Sequence, residues 1–156
     1  MHADLIAANP HAAALAAAID RRTATVAVIG LGYVGLPLAA TFHGAGFTVL
    51  GYAIDRALIA RLQAHGPLDP VRAQIAVERP AVAAMLAARQ RLSASGTPAD
   101  LARADAVILC VPTPLDAHRQ PDLTAIRRST EAVASSTRPG QIVVLESTSY
   151  PGTTEE

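Results

Sequence analysis

Apolar runs of strand length alternate along this chain with stretches whose apolar residues recur at helical spacing. Thr25–Ile29 and Ala106–Val111 are apolar runs, and Phe47–Tyr52, Arg91–Ser95 and Gln141–Leu145 read as three further strands. The run at 106–111 is apolar throughout, as a strand buried on both faces should be. Between these runs the pattern predicts helices over Pro10–Asp20, Leu36–Ala45, Arg56–Ala64 and Leu123–Ser135, with two more segments in Val71–Gln90 divided at Pro80. Thr97-Pro98 reads as a cap and first helical residue opening a brief helix to Ala104. Strand and helix in alternation, joined by short connections, predict a parallel α/β sheet wound on both faces, with strand order 3-2-1-4-5. Such a sheet binds its ligand beyond the carboxyl ends of the strands, which directs attention to the loops after strands one, two, four and five.

The first of these loops carries Gly30-Leu31-Gly32-Tyr33-Val34-Gly35, a G-x-G-x-x-G run set between a predicted strand and a predicted helix. The first glycine permits the sharp turn, the second lets a pyrophosphate approach the backbone, and the third lets helix and strand pack closely. The phosphates then meet free N–H groups at the helix N-terminus. A ligand-free tight turn would also fit, but three glycines at this spacing cost backbone entropy that a plain turn does not need. The reading is therefore a Rossmann-like dinucleotide site, with residues 1–22 as a helical extension and 23–156 as the binding domain.

Composition narrows the picture further. The 156 residues suffice for one domain with a real core. Formal net charge is zero, so neither nucleic acid nor an anionic membrane is an expected partner, and no stretch approaches the length of a membrane span. All 13 basic residues are arginine, so a mechanism that needs lysine must find it elsewhere. The single cysteine, Cys110, excludes an internal disulfide and fits a cytoplasmic location. It reads as small buried packing within strand four rather than a nucleophile. His2, His11, His43, His65 and His118 lack metal-ligand spacing and read as surface or loop residues, so no metal is expected.

Four segments together resemble the nucleotide-sugar dehydrogenase family (UDP-glucose/GDP-mannose dehydrogenases). They are Val28-Ile29-Gly30-Leu31-Gly32-Tyr33-Val34-Gly35-Leu36-Pro37, Cys110-Val111-Pro112-Thr113-Pro114-Leu115, Pro121-Asp122-Leu123, and the run from Leu145 to Glu156. The last is most similar to the branch that oxidises UDP-N-acetyl-glucosamine or UDP-N-acetyl-mannosamine. The resemblance implies oxidation of a UDP-sugar C6 alcohol to the carboxylate, through a cysteine thioester, with two NAD+ consumed. It also implies that Tyr33 and Val34 lie along the pyrophosphate turn, that Thr113 and Thr148 reach the nicotinamide side, and that Glu146 faces the catalytic water. The cysteine, lysine and asparagine of that chemistry belong to the part of the family that follows the Pro-Gly-Thr-Thr segment. The expectation is thus a cofactor-binding part that ends before a sixth strand, inactive alone, with homodimerisation dependent on central helices outside this sequence. A stand-alone dinucleotide-binding or redox-sensing module, or an inactive fragment, is the alternative.

One departure from the family bears on cofactor choice. Where the family reads Gly-x-Asp-x-Asp after strand two, with the first aspartate on the adenosine ribose, this chain has Gly51-Tyr52-Ala53-Ile54-Asp55. Ala53 replaces the expected carboxylate. Asp55 lies close to the generic offset, and Arg56 stands beside it. NAD is the expected cofactor, with NADP as the alternative that the missing carboxylate opens.

Overall fold

The computed structural model describes residues 9–66, 68–88, 90–115, 119–149 and 151–154. Five strands form one parallel sheet: β1 (Thr25–Ile29), β2 (Thr48–Tyr52), β3 (Leu92–Ser95), β4 (Ala106–Leu109) and β5 (Ile142–Leu145). Their order is β3-β2-β1-β4-β5, as the alternation predicts. The register runs straight across the centre, with Val28 beside Gly51 on one side and Ile108 on the other.

Side chains alternate between the faces of a strand, so each central strand feeds two cores. Val26, Val28, Val49 and Ile108 face one layer, and Ala27, Ile29, Leu50, Val107 and Leu109 face the other. The first layer is closed by α2 (Gly35–Gly44), α3 (Arg56–Gln63), α4 (Pro70–Glu78) and α5 (Pro80–Ala88). Leu36, Leu58, Ile75 and Met85 bring the apolar stripes of these helices into that core. The second layer is closed by a short 3-10 helix, Pro98–Arg103, through Leu101, and by α6 (Thr124–Ala134), through Val133. The leading helix α1 (Pro10–Asp20) packs Ala18 on the first core, and the Ala18 carbonyl accepts the N–H groups of Thr23 and Ala24.

Local chemistry sets the helix starts. Asn9, Asp55 and Asp69 each accept N–H groups of the first turn that have no helical partner. Pro10 and Pro70 sit in first turns, where a missing N–H is harmless. Pro80 begins α5 and so divides it from α4, as expected. No helix among the described residues is long and apolar enough to cross a membrane.

Four expectations need correction. β4 ends at Leu109, so Cys110 and Val111 lie beyond the strand, although the Cys110 N–H still bonds to the Ile29 carbonyl at 2.8 Å. The chain diverges there because the Val111 N–H is taken by the Ser147 hydroxyl instead of a strand partner. Thr97 precedes the 3-10 helix but its side chain makes no cap; the Ser95 hydroxyl accepts the Thr97 N–H at 3.0 Å. His43 is not a surface residue: it is 7 % exposed on α2, with Nε2 2.8 Å from the Gln90 carbonyl, which meets its polarity inside the packing. The run from Pro151 to Glu156, whose threonines and acidic residues predict a helix start, is a turn over 151–154, and its two glutamates lie outside the described residues. His2 and His118 also lie outside them.

Candidate functional site

The loops that follow β1, β2, β4 and β5 begin by continuing the ladder. Gly30 donates to Tyr52, Ala53 to Ser95, and Glu146 to Leu109. The edge therefore stays flush, and the loops open a crevice above β1, β2 and β4. A cleft of about 560 Å³ occupies it. Its floor is the glycine turn, one wall is Tyr52 to Asp55 with Leu58, and the other is Cys110, Val111, Pro112 and Pro114 together with the first turns of α6.

The three glycines of the turn have distinct physical reasons. Gly30 has φ +91°, and a side chain there would collide with the Cys110 carbonyl. A side chain on Gly35 would collide with the Gly30 carbonyl, so this glycine brings α2 against the end of β1. A Cβ on Gly32 would meet nothing within 4 Å; the space above it is open and belongs to the cleft. Two glycines thus satisfy internal packing and one faces room for a ligand. That division fits the diphosphate of a dinucleotide, which needs bare backbone at one point of the turn.

The structure brings Gly30, Gly32 and Asp55 to the cleft, along with Ala53. Asp55 spends one carboxylate oxygen capping α3, accepting from Ala57 at 2.9 Å and Leu58 at 3.1 Å. Gly35 is buried beneath the turn. Tyr33 and Val34 are 63 % and 61 % exposed and do not line the cleft. Arg56 is exposed and also outside it. Thr113 is half-buried between Pro112 and Pro114, which line the cleft while Thr113 does not. Glu146 and Thr148 are exposed on the loop after β5 and do not line the cleft.

Cys110 links these two loops electrostatically. Burial pushes its thiol up, and the negative charge of Glu146 pushes it further. The group is held as a neutral thiol, consistent with packing rather than nucleophilic duty. Between the two residues Ser147 acts as a staple: its hydroxyl accepts the Val111 N–H at 2.9 Å and donates to the Val111 carbonyl at 2.8 Å. Among the described residues, no group of three His, Cys, Asp or Glu side chains could hold a metal.

Sequence reasoning passed over several residues of the cleft. Arg72 lines it from α4, and its Nε donates to the Leu31 carbonyl at 2.8 Å. Arg128 and Ser129 line it from α6. Asp69-Pro70 signals the start of α4 and so the helical place of Arg72, but nothing local signals that this arginine folds back on a turn 41 residues away. Ser147 stood inside a recognised segment, yet its bond to Val111 spans 36 residues.

Comparison with known proteins agrees with this geometry. Residues 24–156 match the model of the UDP-glucose/GDP-mannose dehydrogenase family, NAD binding domain. The chain is 42 % identical over 131 residues to the UDP-N-acetyl-D-glucosamine 6-dehydrogenase of Pseudomonas aeruginosa, covering 84 % of this chain and 29 % of that protein. It is 35 % identical over 136 residues to the UDP-N-acetyl-D-mannosamine dehydrogenase of Escherichia coli K12, covering 85 % and 30 % respectively. Among solved structures, the UDP-D-ManNAc dehydrogenase of Pyrococcus horikoshii superposes with a TM-score of 0.69 at 34 % identity, over 84 % of this chain and 30 % of that one. The chain therefore spans about three-tenths of the length of these relatives. With a doubly wound sheet, an open glycine above the β1 turn and a matching family model over most of its length, this chain belongs to the UDP-glucose/GDP-mannose dehydrogenase family and carries its NAD-binding domain.

Proposed function

We propose that these residues bind the NAD+ of a nucleotide-sugar 6-dehydrogenase that oxidises the C6 alcohol of a UDP-N-acetylhexosamine to the uronate with two NAD+. The observation that carries the proposal is the glycine turn: Gly30 and Gly35 are required by packing, whereas Gly32 opens onto the cleft with no internal reason to lack a side chain. The nature of the sugar rests on the two relatives above, whose names place them on N-acetylated hexosamines. The domain's part in the reaction is to hold the dinucleotide along the carboxyl edge of the sheet, with its diphosphate on the β1 turn. In this proposal Thr113, Thr148 and Glu146 act at the nicotinamide end. Glu146 and Thr148 are exposed and Thr113 is half-buried, so their side chains are accessible to a bound cofactor.

The same residues supply no thiolate and no lysine. Cys110 is a partly buried thiol pushed up by burial, and every basic side chain is an arginine. In this proposal the thiolate and the lysine of the thioester chemistry are not supplied by these residues. Calorimetric titration with NAD+, alongside an NADH-absorbance assay with UDP-N-acetylglucosamine, tests both halves of the proposal. The expected result is saturable NAD+ binding without turnover. Absence of NAD+ binding by the folded chain would overturn the first half, and NADH production would overturn the second.

A further inference from the structure

Arg72 is anchored at two corners of its guanidinium. Nε donates to the Leu31 carbonyl at 2.8 Å, and Nη1 donates to the Asp69 carboxylate at 2.7 Å. Among the described residues, Nη2 has no acceptor. The side chain keeps 21 % of its exposure and lines the cleft. The planar fork is thus pre-oriented, with one donor edge unfilled, in a site partly withdrawn from water; a charge placed so favours an anionic partner. Leu31 sits between Gly30 and the open Gly32, so the guanidinium is held against the turn itself. Arg56, the arginine beside Asp55 in sequence, lies outside the cleft.

We infer that Arg72 is a ligand of the dinucleotide diphosphate, donating through Nη2 while its Nε holds the Leu31 carbonyl and so the shape of the glycine turn. The inference rests on the reading of the cleft as a dinucleotide site. Ala53 lines the same cleft where a ribose-binding carboxylate is expected, and charge supplied at the phosphates would offset the bond lost at the ribose. The anionic group could instead be a 2′-phosphate beyond Ala53, and the choice of probes separates the two.

The test is calorimetric titration of the full chain and its Arg72→Gln and Arg72→Met variants with NAD+, ADP, 2′-AMP and adenosine, with thermal melting of each variant. Gln keeps a donor for the Leu31 carbonyl but carries no charge, so it guards against a variant that fails to fold. Loss of a charge-assisted bond should weaken NAD+ and ADP about ten- to a hundredfold in both variants and leave adenosine unchanged. Equal weakening of adenosine and ADP would make Arg72 a purely structural clamp, and a loss confined to 2′-AMP would place it at the ribose; either overturns the inference. If the parent chain binds NAD+ and both variants bind it equally well, this inference fails alone. If the parent binds none of the probes, the dinucleotide reading fails and the inference with it.

Discussion

The carbonyl of Cys110 occupies the space that a side chain on Gly30 would need. Strand β1 therefore turns out of the sheet directly beneath the point where β4 releases its chain, and the two loops are locked to each other at the base of the cleft. Gly32, two residues on, meets no such obstacle. The two glycines should accordingly separate stability from binding. Gly30→Ala combines a positive φ with a backbone collision and should destabilise by roughly 2–4 kcal/mol. Gly32→Ala should unfold within about 0.5 kcal/mol of the parent yet bind NAD+ markedly more weakly, because its methyl enters the ligand space. Urea denaturation and calorimetry on both variants make the comparison; NAD+ affinity unchanged in Gly32→Ala would remove the diphosphate from this turn.

Ala53 lines the cleft where the family resemblance expects a ribose-binding carboxylate. Ala53→Asp should add a charged hydrogen bond worth about 1.5–3 kcal/mol, strengthening NAD+ roughly ten- to a hundredfold. It should also weaken NADP+ by repelling its 2′-phosphate. Parallel titrations with both cofactors read the preference, and an unaltered ratio would show that position 53 does not meet the ribose.

Burial, with the Glu146 charge added to it, holds the Cys110 thiol above its ordinary range. Alkylation by iodoacetamide should therefore be slow at neutral pH and rise only in alkali. Glu146→Gln removes the smaller cause, so the midpoint should fall while remaining raised by burial. NAD+ should slow the reaction in both proteins, since Cys110 lines the cleft. A pH midpoint identical in parent and variant would disconnect the two residues.

At the opposite, amino end of the sheet, Arg138 donates to the carbonyls of Ala102 and Ala104 and to Asp105, whose other oxygen accepts the Thr25 N–H. The ion pair is partly exposed, at 38 % and 29 %, so its Coulombic share should stay below about 1 kcal/mol. The carbonyls matter more, and Arg138→Met should cost about 1–3 kcal/mol. Asp105→Asn, which retains an acceptor, should cost less. Urea midpoints that rank the two variants the other way would assign the stabilisation to charge.

Burial alone would raise the Asp69 carboxyl, but hydrogen bonds from the Arg72 side chain and backbone, together with its charge, outweigh burial and hold it below its usual value. A carboxyl lowered by folding contributes stability that is fully present above its unfolded pKa, about 3.9, and is lost as pH falls through the folded value. Asp69→Asn should flatten that acid limb while keeping the α4 cap. Acid titration of thermal stability checks this, and parallel limbs in the two proteins would contradict it.

The order of elements, the five-stranded sheet and the position of the glycine turn were legible in the amino-acid sequence because they depend on local chemistry. β-branched runs, prolines in first turns and Asn or Asp caps act over a few residues, and they place β1 and α1 at the boundaries expected. Tertiary structure alone decided which glycine is wedged and which is open, since Gly30 and Cys110 meet only when β1 and β4 pair. It also decided that His43 is buried against Gln90, and that Arg72 rather than Arg56 reaches the cleft. These contacts join residues tens of positions apart, and a helical period states which face a side chain occupies but not what the packed sheet sets opposite it.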